Sequence, residues 1–176
     1  MTLPDDQNRV AALLARVPVR VGFGHDSHPF GPGDGLRLGG IELAGAPRLA
    51  GHSDGDVALH AIADALLGAA GMGDLGRLFP ADRRTPKGIE SRELLSAVVA
   101  RLAGEGMRPA SVDIVIIGAR PRLGDRLDAM RAAIAGLLGL PEAAINVKAS
   151  TGNLSGDEGA GRSISARAVA TVEGPA

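Results

Sequence analysis

The stretch GFGHDSHPF, residues 22–30, concentrates histidine and carboxylate side chains in a chain that has only four histidines. The segment VRVGF that leads into it is typical of a strand. On a strand, residues i and i+2 project from the same face, so Asp26 and His28 can reach one point while His25 and Ser27 face the other way. We therefore expect Asp26 and His28 to be two ligands of one metal site, and His25 not to be a ligand.

A third ligand is expected from His60, which lies in the apolar helical segment DVALHAIAD. Asp56 and Asp64 lie four residues on either side of it, so the three side chains form one polar stripe on an otherwise apolar helix. One aspartate and two histidines suit zinc with its fourth position open, and an open position is typical of catalytic rather than structural zinc. Asp56 or Asp64 is then expected to orient the His60 ring.

The residue types alone leave other interpretations open. Two histidines and one carboxylate are also the ligand set of non-haem iron oxygenases, and the spacing does not choose between the metals. Short motifs are weak signals, so chance packing of His28 and a hydrogen-bonded core histidine at His60 are alternatives. His52, in AGHSDGD, is either a functional group or simply the residue before a capped helix with an acidic first turn.

Helical and strand patterns alternate through the chain, and these elements must position the site. An acidic start, helical spacing and Pro18 predict a helix over residues 5–16. After the strand at VRVGF and a Gly/Pro-rich loop with a short hairpin, Ser53 or Asp54 is expected to cap a helix that runs to about Gly71. The remaining predicted elements are a helix over 91–103, a strand over 112–118, a helix over 125–138, and strands at INVKAS and SISARAVATVE.

The composition narrows the classes of protein and partner. A chain of 176 residues with 45% hydrophobic and 22% charged residues predicts one globular domain. The net charge of −1 and the lack of Trp and Tyr argue against nucleic acid and anionic lipid as partners. The lack of cysteine excludes thiolate metal sites and a cysteine nucleophile. No apolar run reaches ~18 residues, so we expect no membrane segment and a cytoplasmic location.

The chain resembles the 2-C-methyl-D-erythritol 2,4-cyclodiphosphate synthases of the non-mevalonate isoprenoid pathway in five segments, GHDSH, HSDGDVALHAIADALLGAAGMGDLGRLFP, SRELL, GARPRL and VKAST. The resemblance spans about Arg20 to Val172, and its long block from His52 to Pro80 is far more specific than any short motif. It implies an N-terminal extension over residues 1–18 and a single α+β domain over residues 19–176. In that domain a β-sheet is covered by helices on one side, and the protein is a homotrimer with active sites at the subunit interfaces.

The resemblance also implies an intramolecular phosphoryl transfer on a cytidine-diphosphate ester of methylerythritol 2-phosphate, with release of CMP. Zn²⁺ on Asp26, His28 and His60 would neutralise the β-phosphate, and Mg²⁺ or Mn²⁺ held with the substrate phosphates would stabilise the leaving CMP. The implied catalytic residues are His52 and Thr151. The implied substrate-binding residues are Asp26, His28, His52, Ser53, Asp74, Gly76, Gly118, Ala119, Arg120, Pro121, Arg122, Leu123, Gly124, Ala149, Ser150, Thr151 and Asn153, with Asp74 and Gly76 at the ribose and the groups 118–124 and 149–151 at the cytosine.

The chain departs from the family pattern in its last loop. Where the family usually has a glutamate that binds the second metal, two residues after the catalytic threonine, this chain has Asn153. The following residues lack the usual Phe and Arg, with Asp157 and Ala160 in their places, and Asp157 or Glu158 is an alternative ligand. Two rival functions therefore stand beside the synthase: a non-haem iron oxygenase, and a trimeric zinc-containing binding protein of the same fold without turnover.

Overall fold

Five strands and five α-helices form the part of the chain that the computed structural model describes, residues 18–175. The helix predicted over residues 5–16 lies outside the described residues. Within them, no helix is long and apolar enough to cross a membrane. The elements in chain order are β1 (Val19–Leu38), β2 (Ile41–Leu49), α1 (Val57–Ala70), α2 (Leu75–Leu78), α3 (Ser91–Gly104), β3 (Arg108–Ile117), α4 (Leu127–Leu138), β4 (Ile145–Ser150), α5 (Gly156–Gly159) and β5 (Ser163–Glu173).

The five strands form one mixed sheet in the order β2-β1-β5-β3-β4. Three of the four neighbouring pairs are antiparallel, and β3 and β4 run parallel. A parallel pair needs a crossover connection, and α4 provides it here. The expected single α+β domain is therefore confirmed.

The two faces of the sheet differ in burial. On β5, Ala166 and Ala168 are buried, whereas Arg167 and Val169 between them are exposed. Because alternate residues of a strand point to opposite faces, this pattern shows one covered and one open face. Helix α1 packs across β1 and β5 on the covered face. The register of the strands places the ends of β3 and β4 level with the middle of β1.

Helix α1 lies unusually close to β1 because two strand residues that face it have no side chain. A Cβ atom on Gly22 would lie 2.0 Å from the carbonyl oxygen of Ala65, and one on Gly24 would lie 2.0 Å from that of Ala61. Any larger residue would therefore overlap the helix backbone. This contact brings His60, next to Ala61, towards the strand.

Asp56 caps helix α1, so the expectation of a cap at Ser53 or Asp54 was wrong. The Asp56 carboxylate accepts hydrogen bonds from the first-turn N–H groups of α1 at 3.1 Å, and also from Gly39 N and Gly40 N at 2.9 and 2.8 Å. The residue directly before a helix is the one whose side chain can accept these first-turn N–H groups. The chain around Asp54 is instead hydrogen-bonded to a distant loop, since Asp54 N donates to Ile89 O.

Strand β1 continues to Leu38, into the Gly/Pro-rich segment that was predicted to be a loop and a short hairpin; the hairpin is present as the antiparallel pair β1 and β2, whereas the loop part of the prediction was wrong. Irregular register near Asp34 accommodates the glycines, after which the strand pairs with β2. This pairing buries Leu36 and Leu38, and the gain from burial outweighs the low strand propensity of the segment. Strand β3 likewise begins four residues before its predicted start, whereas β4 and β5 have the predicted bounds.

Candidate active site

The structure brings Asp26, His28 and His60 together between β1 and α1. Oδ2 of Asp26 lies 2.8 Å from Nδ1 of His60 and 3.1 Å from Nε2 of His28. One donor atom from each of the three residues lies within 4.8 Å of the others. His25 is exposed on the opposite face of β1, as the alternation of side chains along a strand requires.

The donor atoms of these three residues fit a zinc ion. Zn–N and Zn–O bonds of about 2.0–2.1 Å in a tetrahedron place the donor atoms roughly 3.3 Å apart, close to the 2.8 and 3.1 Å that separate the Asp26 oxygen from the two nitrogen atoms. The two imidazole planes are inclined at 63°, with ring centroids 5.6 Å apart, so their nitrogen atoms converge without stacking of the rings. Three protein ligands leave the fourth tetrahedral position open.

Hydrogen bonding favours the charged form of the Asp26 carboxyl group. Burial by itself would raise the pKa of Asp26, but hydrogen bonds with His28 and His60 outweigh burial and hold the pKa below its ordinary range. The hydrogen bond to Asp26 in turn raises the pKa of His28, against the effect of burial. Asp26 is therefore ionised at neutral pH, the state that a metal ligand must have.

Neither aspartate of the predicted polar stripe forms a hydrogen bond with the His60 ring. Asp56 is occupied by the backbone N–H groups described above, and Oδ1 of Asp64 accepts the N–H of Leu75 at 2.7 Å. The expectation that one of them orients His60 was wrong, because both carboxylates bind backbone donors. Two hydroxyl groups contact the second ring nitrogen of His60 instead: Ser91 Oγ lies 2.8 Å and Ser53 Oγ 3.2 Å from Nε2.

A cavity of about 240 Å³ opens beside these residues. His52 lies on its wall, and Nε2 of His52 is 2.9 Å from the carbonyl oxygen of Thr85. Because a carbonyl only accepts, His52 donates to it through Nε2. The lining consists of His28, His52, Ser53, His60, Leu75, Gly76, Phe79, Ala81, Thr85, Ile89 and Leu94.

Two loops that follow the parallel strands β3 and β4 form a second, larger cavity of about 680 Å³. It contains most of the residues expected at the cytosine and shares no lining residue with the first cavity. Arg120 is an exception, because its guanidinium group lies 4.6 Å from the Phe30 ring centroid and donates to Gly161 O at 2.9 Å. The lining consists of Gly118, Ala119, Pro121, Arg122, Leu123, Gly124, Asp125, Ala149, Ser150, Thr151 and Leu154.

Of four other residues expected at or near the site, Gly76 alone lines one of these two cavities. Asp74 caps the short helix α2 and forms an ion pair with Arg77 at 3.0 Å, while Gly76 in the same turn lines the first cavity. Asn153 is exposed and has a left-handed backbone with φ of 55°. Asp157 is held in an ion pair with Arg162.

Sequence patterns missed Ser91 and Asp54, which are in contact with each other next to His60. Ser91 is the first residue of α3 and lies 31 positions after His60, so no local spacing connects them. The one available signal was a serine at the start of the segment SRELL, which is also the ordinary signature of a helix start.

Residues 19–173 match the model of the YgbB family. The chain is 46% identical to the "Bifunctional enzyme IspD/IspF" of Anaeromyxobacter dehalogenans, over 98% of this chain and 44% of that protein. It is also 46% identical to the "2-C-methyl-D-erythritol 2,4-cyclodiphosphate synthase" of Symbiobacterium thermophilum, over 88% of this chain and 98% of that protein. The chain thus spans less than half the length of the bifunctional relative.

A solved structure of 2C-methyl-D-erythritol-2,4-cyclodiphosphate synthase in its CDP-bound form has the same fold, with a TM-score of 0.76 at 34% identity. The match covers 88% of this chain and 100% of that one. The family match contains both cavities and all three donor residues between β1 and α1. The chain therefore belongs to the YgbB family, together with the 2-C-methyl-D-erythritol 2,4-cyclodiphosphate synthases that it matches.

Proposed function

We propose that this chain converts 4-diphosphocytidyl-2-C-methyl-D-erythritol 2-phosphate to 2-C-methyl-D-erythritol 2,4-cyclodiphosphate and CMP. The observation that carries the proposal is the convergence of Asp26, His28 and His60 beside a cavity that also contains His52. The relative that matches over nearly its whole length is named for this reaction. A solved structure of the same fold binds CDP, which contains the cytidine and the two linked phosphates of the proposed substrate.

The reaction forms one phosphorus–oxygen bond and breaks another. An oxygen of the 2-phosphate attacks the β-phosphorus, the bond from that phosphorus to the bridging oxygen breaks, and its electron pair leaves with CMP. Both reacting groups belong to one substrate, so the protein supplies proximity rather than a nucleophile. Bound zinc would supply positive charge to the β-phosphate, and Mg²⁺ or Mn²⁺ with the substrate phosphates would supply it to the leaving group.

The residues of the chain then hold the two ends of the substrate. His52 and Thr151 are assigned to the reacting phosphates, and Ser53 to the methylerythritol phosphate beside them. Asp74 and Gly76 are assigned to the ribose. The second cavity is assigned to the cytosine, since backbone groups and small side chains can bind a base by hydrogen bonds without aromatic stacking. Asn153 is assigned to the second metal.

We propose that the active protein is a homotrimer, with the first cavity of one subunit and the second cavity of its neighbour forming one site. The support is the open face of the sheet, where four apolar side chains are 42–66% exposed: Val19, Val21, Phe23 and Val169. An apolar patch of this kind marks an interaction surface. The lack of shared lining residues between the two cavities is consistent with a site completed by a second copy. The cytoplasmic location stays a prediction.

Release of CMP from the cytidylylated substrate tests the proposed function. The protein stripped of metal should release little CMP, and addition of Zn²⁺ with Mg²⁺ should restore the release. A protein that binds zinc and CDP but releases no CMP would be the binding protein without turnover. Iron in the purified protein, with no zinc-dependent CMP release, would instead favour the oxygenase.

A further inference from the structure

Ser91, the first residue of α3, lies between the metal-site histidine His60 and a carboxylate. Its side chain is buried, with 1% of its surface exposed. Ser91 Oγ lies 2.8 Å from Nε2 of His60 and also contacts Oδ1 of Asp54. The nitrogen it contacts is the one on the far side of the imidazole ring, since Nδ1 faces Asp26 at 2.8 Å.

The hydrogen atoms in this chain of contacts can be assigned by counting donors. An ionised carboxylate only accepts, and a serine hydroxyl has one hydrogen to donate. Ser91 therefore donates to Asp54, and its oxygen accepts the hydrogen on Nε2 of His60. With that hydrogen held on Nε2, Nδ1 on the Asp26 side is the ring nitrogen left for a metal ion.

Backbone hydrogen bonds fix the two segments that carry this contact. Gly88 N donates to His52 O at 2.7 Å, and Asp54 N donates to Ile89 O at 3.1 Å. The start of α3 is thereby held against the segment before α1. Ser53 is a poorer partner for the ring, because its oxygen is 3.2 Å from Nε2 and already accepts the N–H of Gly55.

We propose that Ser91 is a positioning residue for His60, which it holds together with Asp54 so that Nδ1 faces the metal position. The proposal rests on the metal site of the proposed function. Histidine ligands of metals ordinarily donate their other N–H group to a carboxylate, a carbonyl or water, which fixes the ring and its tautomer. Here the hydroxyl of Ser91 lies between the imidazole and the carboxylate.

Zinc affinity, measured by competition with a chromophoric chelator, tests the proposal without depending on catalysis. Ser91→Ala should weaken zinc binding by roughly 10- to 100-fold, the usual effect of removing such a partner. Ser91→Thr keeps the hydroxyl group and should restore most of the affinity. Ser96→Ala is the matched control, because Ser96 lies exposed on the same helix and its hydroxyl donates to Arg92 O. It should bind zinc as the unchanged protein does.

A second variant and a spectroscopic measurement distinguish loss of the Ser91 hydrogen bond from misfolding of the Ser91→Ala protein. Asp54→Asn leaves Ser91 and its packing in place and should weaken zinc binding about tenfold. In the zinc-loaded protein labelled with ¹⁵N-histidine, NMR should show the His60 hydrogen on Nε2, with faster exchange in Ser91→Ala.

Three results would overturn the proposal: unchanged zinc affinity in both Ser91→Ala and Asp54→Asn, an equal loss in Ser96→Ala, or zinc bound through Nε2. If the unchanged protein bound no zinc at all, this inference and the proposed function would fail together. If CMP release were absent while the zinc affinities followed the expected order, only the proposed reaction would fail.

Discussion

His60 lies on α1, which packs on the covered face of the sheet, whereas the His25 side chain projects from the open face of β1. We predict that His60→Ala abolishes stoichiometric zinc binding and CMP release, because two remaining ligands are too few to retain the ion. His25→Ala should keep both, since its side chain is exposed on the open face. Elemental analysis of the purified variants checks this. Equal loss of metal in the two variants, or iron in place of zinc, would contradict the assignment of His60 as a zinc ligand.

Asn153 has a left-handed backbone conformation that asparagine tolerates better than most residues. Its amide oxygen lacks the charge that Mg²⁺ prefers in a ligand. We predict that Asn153→Glu lowers the Mg²⁺ concentration needed for half-maximal CMP release several-fold and leaves zinc content unchanged. Asn153→Gln is the matched control. Glutamine has the same length as glutamate and must adopt the same left-handed backbone conformation, but it has no charge.

Two nearby acids provide the competing explanation for the second metal. If Asp157 or Glu158 is the ligand, its replacement by Ala should reduce activity far more than Asn153→Ala does. Asp157 would first have to leave its ion pair with Arg162. An unchanged Mg²⁺ requirement in Asn153→Glu together with a silent Asn153→Ala would show that position 153 does not serve the metal.

The contact between α1 and β1 determines how the metal ligands meet. In Gly24→Ala the new Cβ atom would lie 2.0 Å from the Ala61 carbonyl oxygen, so the helix and strand must move apart. We predict that the free energy of unfolding falls by about 2–3 kcal/mol. Zinc affinity should also fall, because His60 moves away from Asp26. Urea denaturation followed by far-UV circular dichroism measures the first effect.

Gly136→Ala is the control for this prediction, since it makes the same chemical change on an exposed part of α4. Apart from its chain neighbours and the backbone of its own helix, no atom lies within 4 Å of the added Cβ, and the residue is in a helix. Its free energy of unfolding should rise by up to about 1 kcal/mol, because alanine favours the helix more than glycine does. A Gly24→Ala protein as stable as Gly136→Ala would contradict the close contact.

The proposed homotrimer predicts complementation between two inactive variants. His28→Ala damages the first cavity and Pro121→Asp damages the second, so neither protein alone should release CMP. In randomly mixed trimers, half of the first cavities and half of the second are intact, so roughly a quarter of the sites should recover. Light scattering and CMP release after subunit exchange measure this. A monomer, or mixed trimers without activity, would contradict the proposal.

Local patterns were sufficient for several features that depend on neighbours in sequence, although they misplaced the cap of α1 by two residues or more. The alternation of residues along a strand placed Asp26 and His28 on one side and His25 on the other. Strands β4 and β5 have their predicted bounds because β-branched residues and clear turn signals delimit them. The family resemblance rests on residues 52–80, most of which form α1 and the turn after it.

Features that depend on distant segments were not visible in the sequence. Asp56 was one of the two aspartates expected to orient His60, but the turn between β1 and β2 provides two of its four hydrogen-bond donors, which no spacing along α1 reveals. Ser91 reaches His60 only because the start of α3 is hydrogen-bonded to the segment before α1. Strand β1 continues past residue 30 because β2 provides a partner, and partner choice is a property of the whole sheet.

The direct contact of α1 with Gly22 and Gly24 also makes the metal site stiff. Two backbones in such close contact have no rotamers between them that can absorb a displacement, so the separation of the main chains that carry Asp26 and His60 is fixed. Only rotation of the ligand side chains would then be left to accommodate an ion of larger radius. Ionic size would then act together with the chemistry of the ligands in selecting a divalent ion at this site.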